Sequence, residues 1–577
     1  MRMTPYEKES GDTSPHSKAR YIAAVVLLAA ASIGFLWLTD VPLGVPGEWT
    51  WERIGYAAWI LPGLAAGLAA AVLAAGAYVG FCWAVGRRIS RSPRLGVGGW
   101  LLLLAGSGFG LLLAVQMALP AGHDLARMPV VLYDPAASGY FTIARYGDDG
   151  GAVRVPELLA GYEERMRGGD VLHIGTHPPG LIVAHRGLIE LCRRSPGVTR
   201  SVRSLTPVDV ELAFDLIDRQ ARIGPVLSET DRAALWLAVL VTQAVAAAAV
   251  VPLYLLVRRY RSRVESWRAA CLWPLVPALS VFLPKSDALF PFVGVLFLWL
   301  WLEGCARPSV VRSLAAGAVL WVGMSLSLAM LPVAALGAVL AAWEGRTAPA
   351  IGSASPAGRR LAVACVATAV GFWGPVVAVW LALDLNLPGV WLWNYRNHAG
   401  FYAEYDRTWW KWLAVNPAEF ALAAGVPLAA AAAVGAWRGL RGGGGQAGPV
   451  IGCLAVWGAV WLWGKNMGEA ARLWLVFQPW LVWLAAGAFS TQADSSRARL
   501  AGEGRWLWTL AVQAVVCLAS VTRVSGFHYL PGFPEESPSD RPPAAGGADH
   551  DEADGRITEA SPAGRWGQDQ ARRLATR

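Results

Sequence analysis

The residues able to do chemistry in this chain are few and fall in four short segments. Asp134 lies in Tyr133-Asp134-Pro135, shortly before Tyr140, and Thr176-His177-Pro178-Pro179 follows it. Further along come Pro284-Lys285-Ser286-Asp287 and then Lys465, Glu469 and Arg472. A carboxylate of this kind can take a proton from a hydroxyl held at hydrogen-bond distance. Arginine suits a phosphate because its planar fork engages two oxygens, whereas lysine acts as a point charge. The set therefore fits a base (Asp134) with cations for an anionic group (Arg472, Lys465, Lys285), and His177 as a hydrogen-bond donor. Asp124, in Gly122-His123-Asp124, competes with Asp134 for the role of base. His398 and Arg407, in an aromatic-rich segment, are candidate substrate contacts of the sort that loops collect.

Each residue also has an ordinary reading. Asp134 before a proline can simply start a turn, and Asp124 can cap a helix. His177 before two prolines can set a helix start, since proline favours the first helical turn. Lys285, Asp287 and Glu469 can be interfacial charges. Arg472 stands out, because it abuts an apolar run on the face that the basic loops leave for the outside.

The elements that must position these residues are set by hydropathy. Of 577 residues, 55% are hydrophobic and 16% charged, well below the roughly one quarter charged of soluble domains. Stretches such as 21–39 and 56–85 carry no charge at all, long enough for the ~18-residue criterion of a bilayer span. Apolar runs near 21–39, 56–85, 97–119, 233–257, 267–283, 287–303, 311–327, 329–343, 361–383, 418–436, 449–464, 472–489 and 506–522 predict an all-α polytopic membrane protein with about thirteen transmembrane helices. The net charge of +9 does not point to nucleic acid, because the arginines sit in short clusters between apolar runs.

Those clusters give an orientation. Arg87, Arg88, Arg91 and Arg94 share one loop, and Arg258, Arg259, Arg261, Arg263 and Arg268 another. Arg359/Arg360, Arg438/Arg441 and Arg497/Arg499/Arg505 mark three more. With thirteen spans all five fall on the side of the N-terminus, which the positive-inside rule makes cytoplasmic. The other face then carries loop 120–232, the turn at Pro284–Asp287, loop 384–417 and the turn Lys465–Arg472. Loop 120–232 is too long for a simple connection and should hold structure of its own. Segments 156–167 and 208–222 read as helices, and 178–194 as a helix lying at the membrane surface. The tail beyond 527, rich in Pro, Gly, Asp and Glu, reads as disordered and external.

Six of the seven cysteines lie in or beside apolar runs and only Cys192 falls in the large loop, so no disulfide can form within that loop. No CxxC or Cys/His cluster suggests zinc. Asp148-Asp149 looks metal-like but sits in Gly-Asp-Asp-Gly-Gly, a solvated turn. The expectation is no cofactor and no metal.

The order of these motifs resembles that of GT-C glycosyltransferases of the protein-mannosyltransferase and aminoarabinose-transferase type. In that class an acid follows an early span, a Tyr and a small-residue helix come next, and a His/Lys-Pro-Pro element opens a juxtamembrane helix. Asp134, Tyr140 and His177-Pro178-Pro179 stand in that order here. The Asp134–Tyr140 spacing is longer than the family's, and no second acid adjoins Asp134, which keeps Asp124 in contention. Pro284-Lys285-Ser286-Asp287, Asn416-Pro417-Ala418-Glu419 and Gly468-Glu469-Ala470-Ala471-Arg472 extend the resemblance over roughly 97–489. It implies transfer of a sugar, by inverting displacement, from a polyprenyl-phosphate donor to an acceptor hydroxyl on a glycan, lipid or protein at the outer face of a bacterial plasma membrane. Asp134 or Asp124 would be catalytic, and Arg472, Lys465, Lys285 and His177 would bind the donor phosphate. Tyr140, Asp287, His398, Arg407 and Glu469 would contact acceptor or sugar. The expected organisation is a tail (1–20), two spans additional to the core (21–96), the core (97–489), a cytoplasmic loop with a last span (490–526), and the outer tail (527–577).

Two other classes compete. A secondary transporter would place ionisable residues inside its spans and show internal repeats, whereas these spans are nearly free of charge. An O-antigen ligase or polymerase would gather its polar residues in a later external loop.

Overall fold

In the computed structural model the described residues are 15–527, apart from 57–60, 93–95, 136, 147–153, 173, 221–225, 308, 348–355, 443–445 and 491–495. The Asp148-Asp149 turn and both tails' outer parts, 1–14 and 528–577, lie outside them. The fold is α-helical, with one small sheet.

Among the described residues, seven helices are long and apolar enough to cross a membrane, or eight if the bent pair Trp409–Ala424 and Val426–Gly442 counts as one span. That is fewer than the thirteen apolar runs, because some runs fold as helices too short for a span and one is broken by proline. The run at 267–283 folds as the helix Arg263–Ala270, a single 3₁₀ turn Trp273–Leu275 and the helix Pro277–Phe282. Pro274 and Pro277 open the later two pieces, since proline lacks the N–H that would continue a helix. The run at 472–489 folds as the short helix Ala470–Leu473 followed by one apolar helix, Leu475–Phe489, wound as 3₁₀ at both ends and shorter than a span needs. Val310–Leu326 and Ala447–Trp463 are apolar but shorter than a span needs.

Interrupted backbone is tolerated in apolar surroundings only where other protein groups satisfy the freed carbonyls. Here they do. Gln116 Nε2 donates to Ser280 O (2.8 Å), Tyr78 OH to Cys271 O (2.8 Å) and Trp506 Nε1 to Arg268 O (2.9 Å). Gln513 serves two breaks at once. Its Nε2 donates to Leu275 O (2.9 Å) and Ala424 O (2.8 Å), while its Oε1 accepts from Leu428 N (3.1 Å). Between those last two residues Gly425 turns the chain through 106° with φ +85°. A Cβ there would meet Gln513 Nε2 at 2.2 Å, so both its conformation and its space call for glycine.

The segment 120–232 is built of short helices: Arg127–Tyr133, Tyr140–Tyr146, Val155–Ala160, Tyr162–Arg167, Gly180–Arg194, Pro196–Ser204 and Val208–Gln220. The expected helix over 156–167 is two, parted at Gly161. Gly180–Arg194 buries Leu181, Ile182, Ile189 and Cys192 against Tyr140–Tyr146 and Glu229–Ala248. That last helix starts on a capping box between Ser228 and Asp231, which satisfies two backbone N–H groups that a helix start leaves open.

Residues 43–53 form a hairpin, with strands Leu43–Val45 (β1) and Trp49–Arg53 (β2) pairing Leu43 with Trp51. β2 also pairs with Val524–Ser525 (β3), Arg53 opposite Val524. The first helix, Pro15–Leu38, runs against the last, Ser496–Val521, with Tyr21 OH 2.9 Å from Thr509 Oγ1 and Trp37 Nε1 donating to Ala519 O.

Candidate functional site

Three stretches of chain meet in one small cleft, lined by Ala137, Ser138, Tyr140, His177, Lys285, Ser286, Asp287, Arg472 and Leu473. The first wall comes from the turn between Arg127–Tyr133 and Tyr140–Tyr146. Asp134 ends the former helix, its N–H donating to Val130 O (2.8 Å) and its C=O accepting from Ala137 N (3.0 Å) and Ser138 N (2.8 Å). Gly139 follows at φ +75°, and Tyr140 enters the cleft at 3% exposure. His177 packs its ring edge-on to Tyr140, centroids 5.8 Å apart. Its carbonyl accepts from Tyr162 OH (3.1 Å), which fixes the 176–179 turn against Tyr162–Arg167.

The second wall is the turn 284–288. Lys285, 6% exposed, leads into the 3₁₀ turn Ser286–Ala288 that carries Asp287. Burial, and then the neighbouring guanidinium of Arg472, push the Lys285 ammonium down to about 7, while Glu469, Asp287 and Asp134 pull the other way. Asp134 is thus within electrostatic reach of Lys285, but it is not among the residues that line the cleft.

The third wall is the turn 464–474. Arg472 is 8% exposed, and its Nη2 binds Glu469 Oε2 at 2.8 Å. Burial lowers its pKa, but the charges of Glu469 and Asp287 outweigh it, so the guanidinium stays firmly charged. Among the described residues its Nε has no hydrogen-bond partner. Buried donors are nearly always satisfied, so an unpaired guanidinium N–H beside a cleft is a ready contact for an anion. Glu469 itself has φ +55°, a left-handed conformation uncommon outside glycine. It follows Gly468 at φ +87°, and its C=O accepts from Arg472 N and Leu473 N, so the strained turn is what presents Arg472. Such strain gathers at functional sites.

The remaining candidates fall in two places. Glu469 and Arg407 stand behind Arg472. Arg407 is electrostatically coupled to Glu469 and stacked between the rings of Trp49 (5.8 Å) and Phe401 (5.7 Å). Lys465 and His398 lie to one side. Lys465 Nζ sits 4.0 Å over the Tyr395 ring. His398 is pushed down to about 4 by burial, then by Lys465 and His177. Asp124 is elsewhere. It stands before the Arg127–Tyr133 helix, its Oδ1 accepting from Ala126 N (3.0 Å), near Asp209 and Arg127. The seven-residue helix separates it from Asp134 by about 10 Å. Burial raises its carboxyl to about 6.

Ser138 and Ser286 also line the cleft, and neither carries a signal of its own in the sequence. Glu419, in Asn416-Pro417-Ala418-Glu419, takes its place through its hydrogen bond to the Arg472 turn. Among the described residues no group of three or more His, Cys, Asp or Glu is placed to hold a metal ion. Compared with protein-family models and with curated proteins, the chain matches none.

Proposed function

We propose that the chain is a membrane glycosyltransferase that moves a sugar from a polyprenyl-phosphate donor to an acceptor hydroxyl at the outer face of a plasma membrane. The observation that carries this reading is the meeting of Tyr140, His177, Lys285, Asp287 and Arg472 in one cleft, with the charge of Asp134 felt at Lys285. Two buried cations beside a carboxylate suit an anionic leaving group and a hydroxyl that must lose its proton. The clusters of arginine in the connecting loops, taken as cytoplasmic, favour an outer-face cleft in this reading.

In this reading Asp134 takes the acceptor's proton as its oxygen attacks the anomeric carbon from the side opposite the phosphate. The C–O bond to the phosphate breaks, and its electron pair leaves with the lipid phosphate. Arg472 and Lys285 hold the charge that develops there, and His177 donates a hydrogen bond. The lipid tail lies between helices, which gives a reason for the reaction to be housed in a membrane protein.

The test is transfer of radiolabelled sugar from polyprenyl phosphate in membranes bearing the wild type, Asp134→Asn, Asp124→Asn or Arg472→Ala. Asp134→Asn should abolish transfer and Asp124→Asn should leave most of it. Arg472→Ala should weaken donor use by ten- to a hundredfold, since a hydrogen bond to a charged group contributes about 1.5–3 kcal/mol. Undiminished transfer in Asp134→Asn removes the catalytic assignment. A carrier is the second reading, favoured by the proline-broken stretch 267–283 that leads into the cleft's turn at 284–288, as discontinuous helices do at transporter sites. Accumulation of a solute without any transfer would establish it.

A further inference from the structure

The turn that carries Arg472 is held from outside the cleft by hydrogen bonds from several elements. Tyr402 OH donates to Lys465 O (2.6 Å) and accepts from Met467 N (3.0 Å). Asn416 Nδ2 donates to Asn466 O (2.8 Å). At the C-terminal end of the turn, Glu419 Oε1 accepts from Ala471 N (3.0 Å), the residue immediately before Arg472. The same oxygen accepts from the indole Nε1 of Trp51 at 2.6 Å. Glu419 is 8% exposed and Trp51 6%.

Trp51 belongs to the hairpin that follows the first helix, far from the cleft in sequence, and that hairpin is fixed where it lies. Glu48, in its bend, accepts from Thr408 N (2.8 Å), Thr408 Oγ1 (2.6 Å), Lys411 Nζ (2.9 Å) and Trp412 Nε1 (2.8 Å). These donors stand at the N-terminal end of Trp409–Ala424, the helix that also carries Asn416 and Glu419. Carboxylates are favoured at helix N-termini, where backbone N–H groups are left open. The hairpin is therefore tied to one helix at Glu48, and through Trp51 to the carboxylate that sets the backbone beside Arg472.

We infer that Trp51 and Glu419 are positioning residues: the hairpin of the N-terminal region holds the Glu469–Arg472 turn in the shape that aims Arg472 into the cleft. This role explains why the polypeptide before residue 97 accompanies the core. The inference has a backbone part, the holding of the turn, and a ligand part, which rests on Arg472 binding a lipid phosphate.

Both parts are read on the full chain in detergent, comparing Trp51→Phe, Glu419→Leu and Glu419→Gln with the wild type. Gln keeps an oxygen able to accept from Ala471 N and Trp51 Nε1; Leu does not. Amide hydrogen exchange over 466–474 should rise about tenfold in Trp51→Phe and more in Glu419→Leu, and return toward wild type in Glu419→Gln. Unchanged exchange in Trp51→Phe overturns the positioning role, whatever ligands do. Farnesyl phosphate is the second probe. Its affinity should fall several-fold in Trp51→Phe, and no further when that change is added to Arg472→Ala, because two residues acting through one contact are not additive. Additive losses overturn the coupling of Trp51 to Arg472. Raised exchange together with a wild type blind to farnesyl phosphate upholds the anchored turn and removes the phosphate-donor reading.

Discussion

Lys285 is the cleft residue whose charge is most finely poised. Its ammonium is buried beside a second cation, and its pKa is down to about 7. An anion in the cleft favours the protonated form, so binding takes up a proton whenever the free amine has lost one. The sign follows: affinity is greatest below pH 7 and falls as pH rises, by up to about tenfold per unit, the linkage limit for one proton. Farnesyl phosphate titrations from pH 6 to 9 should show this decline, and Lys285→Arg should flatten it, because arginine stays charged throughout. A flat wild-type profile would place Lys285 outside the anion's reach. At this scale Tyr140, His177, Lys285, Asp287 and Arg472, named from residue type or from the family resemblance, are five that line one cleft. The separation of Asp124 from Asp134 was not legible, because ten positions of sequence span very different distances in a turn and in a helix. Trp51 gave no signal, being one of thirty tryptophans in an apolar chain.

Among the elements, two of the runs that hydropathy misjudged adjoin the site. Residues 267–283 are apolar enough to read as a span, yet Pro274 and Pro277 divide them into a turn and short helices, and 472–489 holds an apolar helix, Leu475–Phe489, too short for one. Hydropathy averages over a window and registers no proline as a break. The helices Pro196–Ser204 and Arg127–Tyr133 escaped for a different reason, being too short to show a period. What replaces helical continuity is side-chain bonding, and Gln513 carries the largest share. Gln513→Leu, close in volume, would leave Leu275 O, Ala424 O and Leu428 N without that partner. At about 1–3 kcal/mol for each buried group left unsatisfied, the loss should exceed any single change on the cleft. Thermal unfolding in detergent would show a marked drop in midpoint, and an unchanged midpoint would mean that water or another group takes over.

At the scale of the whole molecule, the grip of Glu48 joins the N-terminal hairpin to a helix more than 350 residues later. Burial raises its pKa, but the bonds from Thr408, Lys411 and Trp412 outweigh that and hold the carboxyl down to about 2. For a carboxylate with a depressed folded-state value, the stabilisation is complete above about pH 4.5 and is lost as pH falls towards 2. Limited proteolysis of the hairpin should therefore accelerate between those limits. Glu48→Gln should be cut faster at neutral pH and lose that pH dependence. Equal rates for the two proteins across the range would show that the hairpin is held by its strands alone.

The strand Val524–Ser525 has a consequence in time. β2 keeps an open edge until those residues have left the ribosome, and Arg523 then caps it through Ile54 N and O. Chains are made from the N-terminus and their parts tend to fold in that order, but this sheet draws its third strand from a segment made after all three walls of the cleft. The hairpin bearing Trp51 and Glu48 thus waits, half-paired, while those walls are synthesised. Nascent chains arrested short of residue 524 should lack the completed sheet, so the hairpin's final anchoring comes after the cleft it supports has been made.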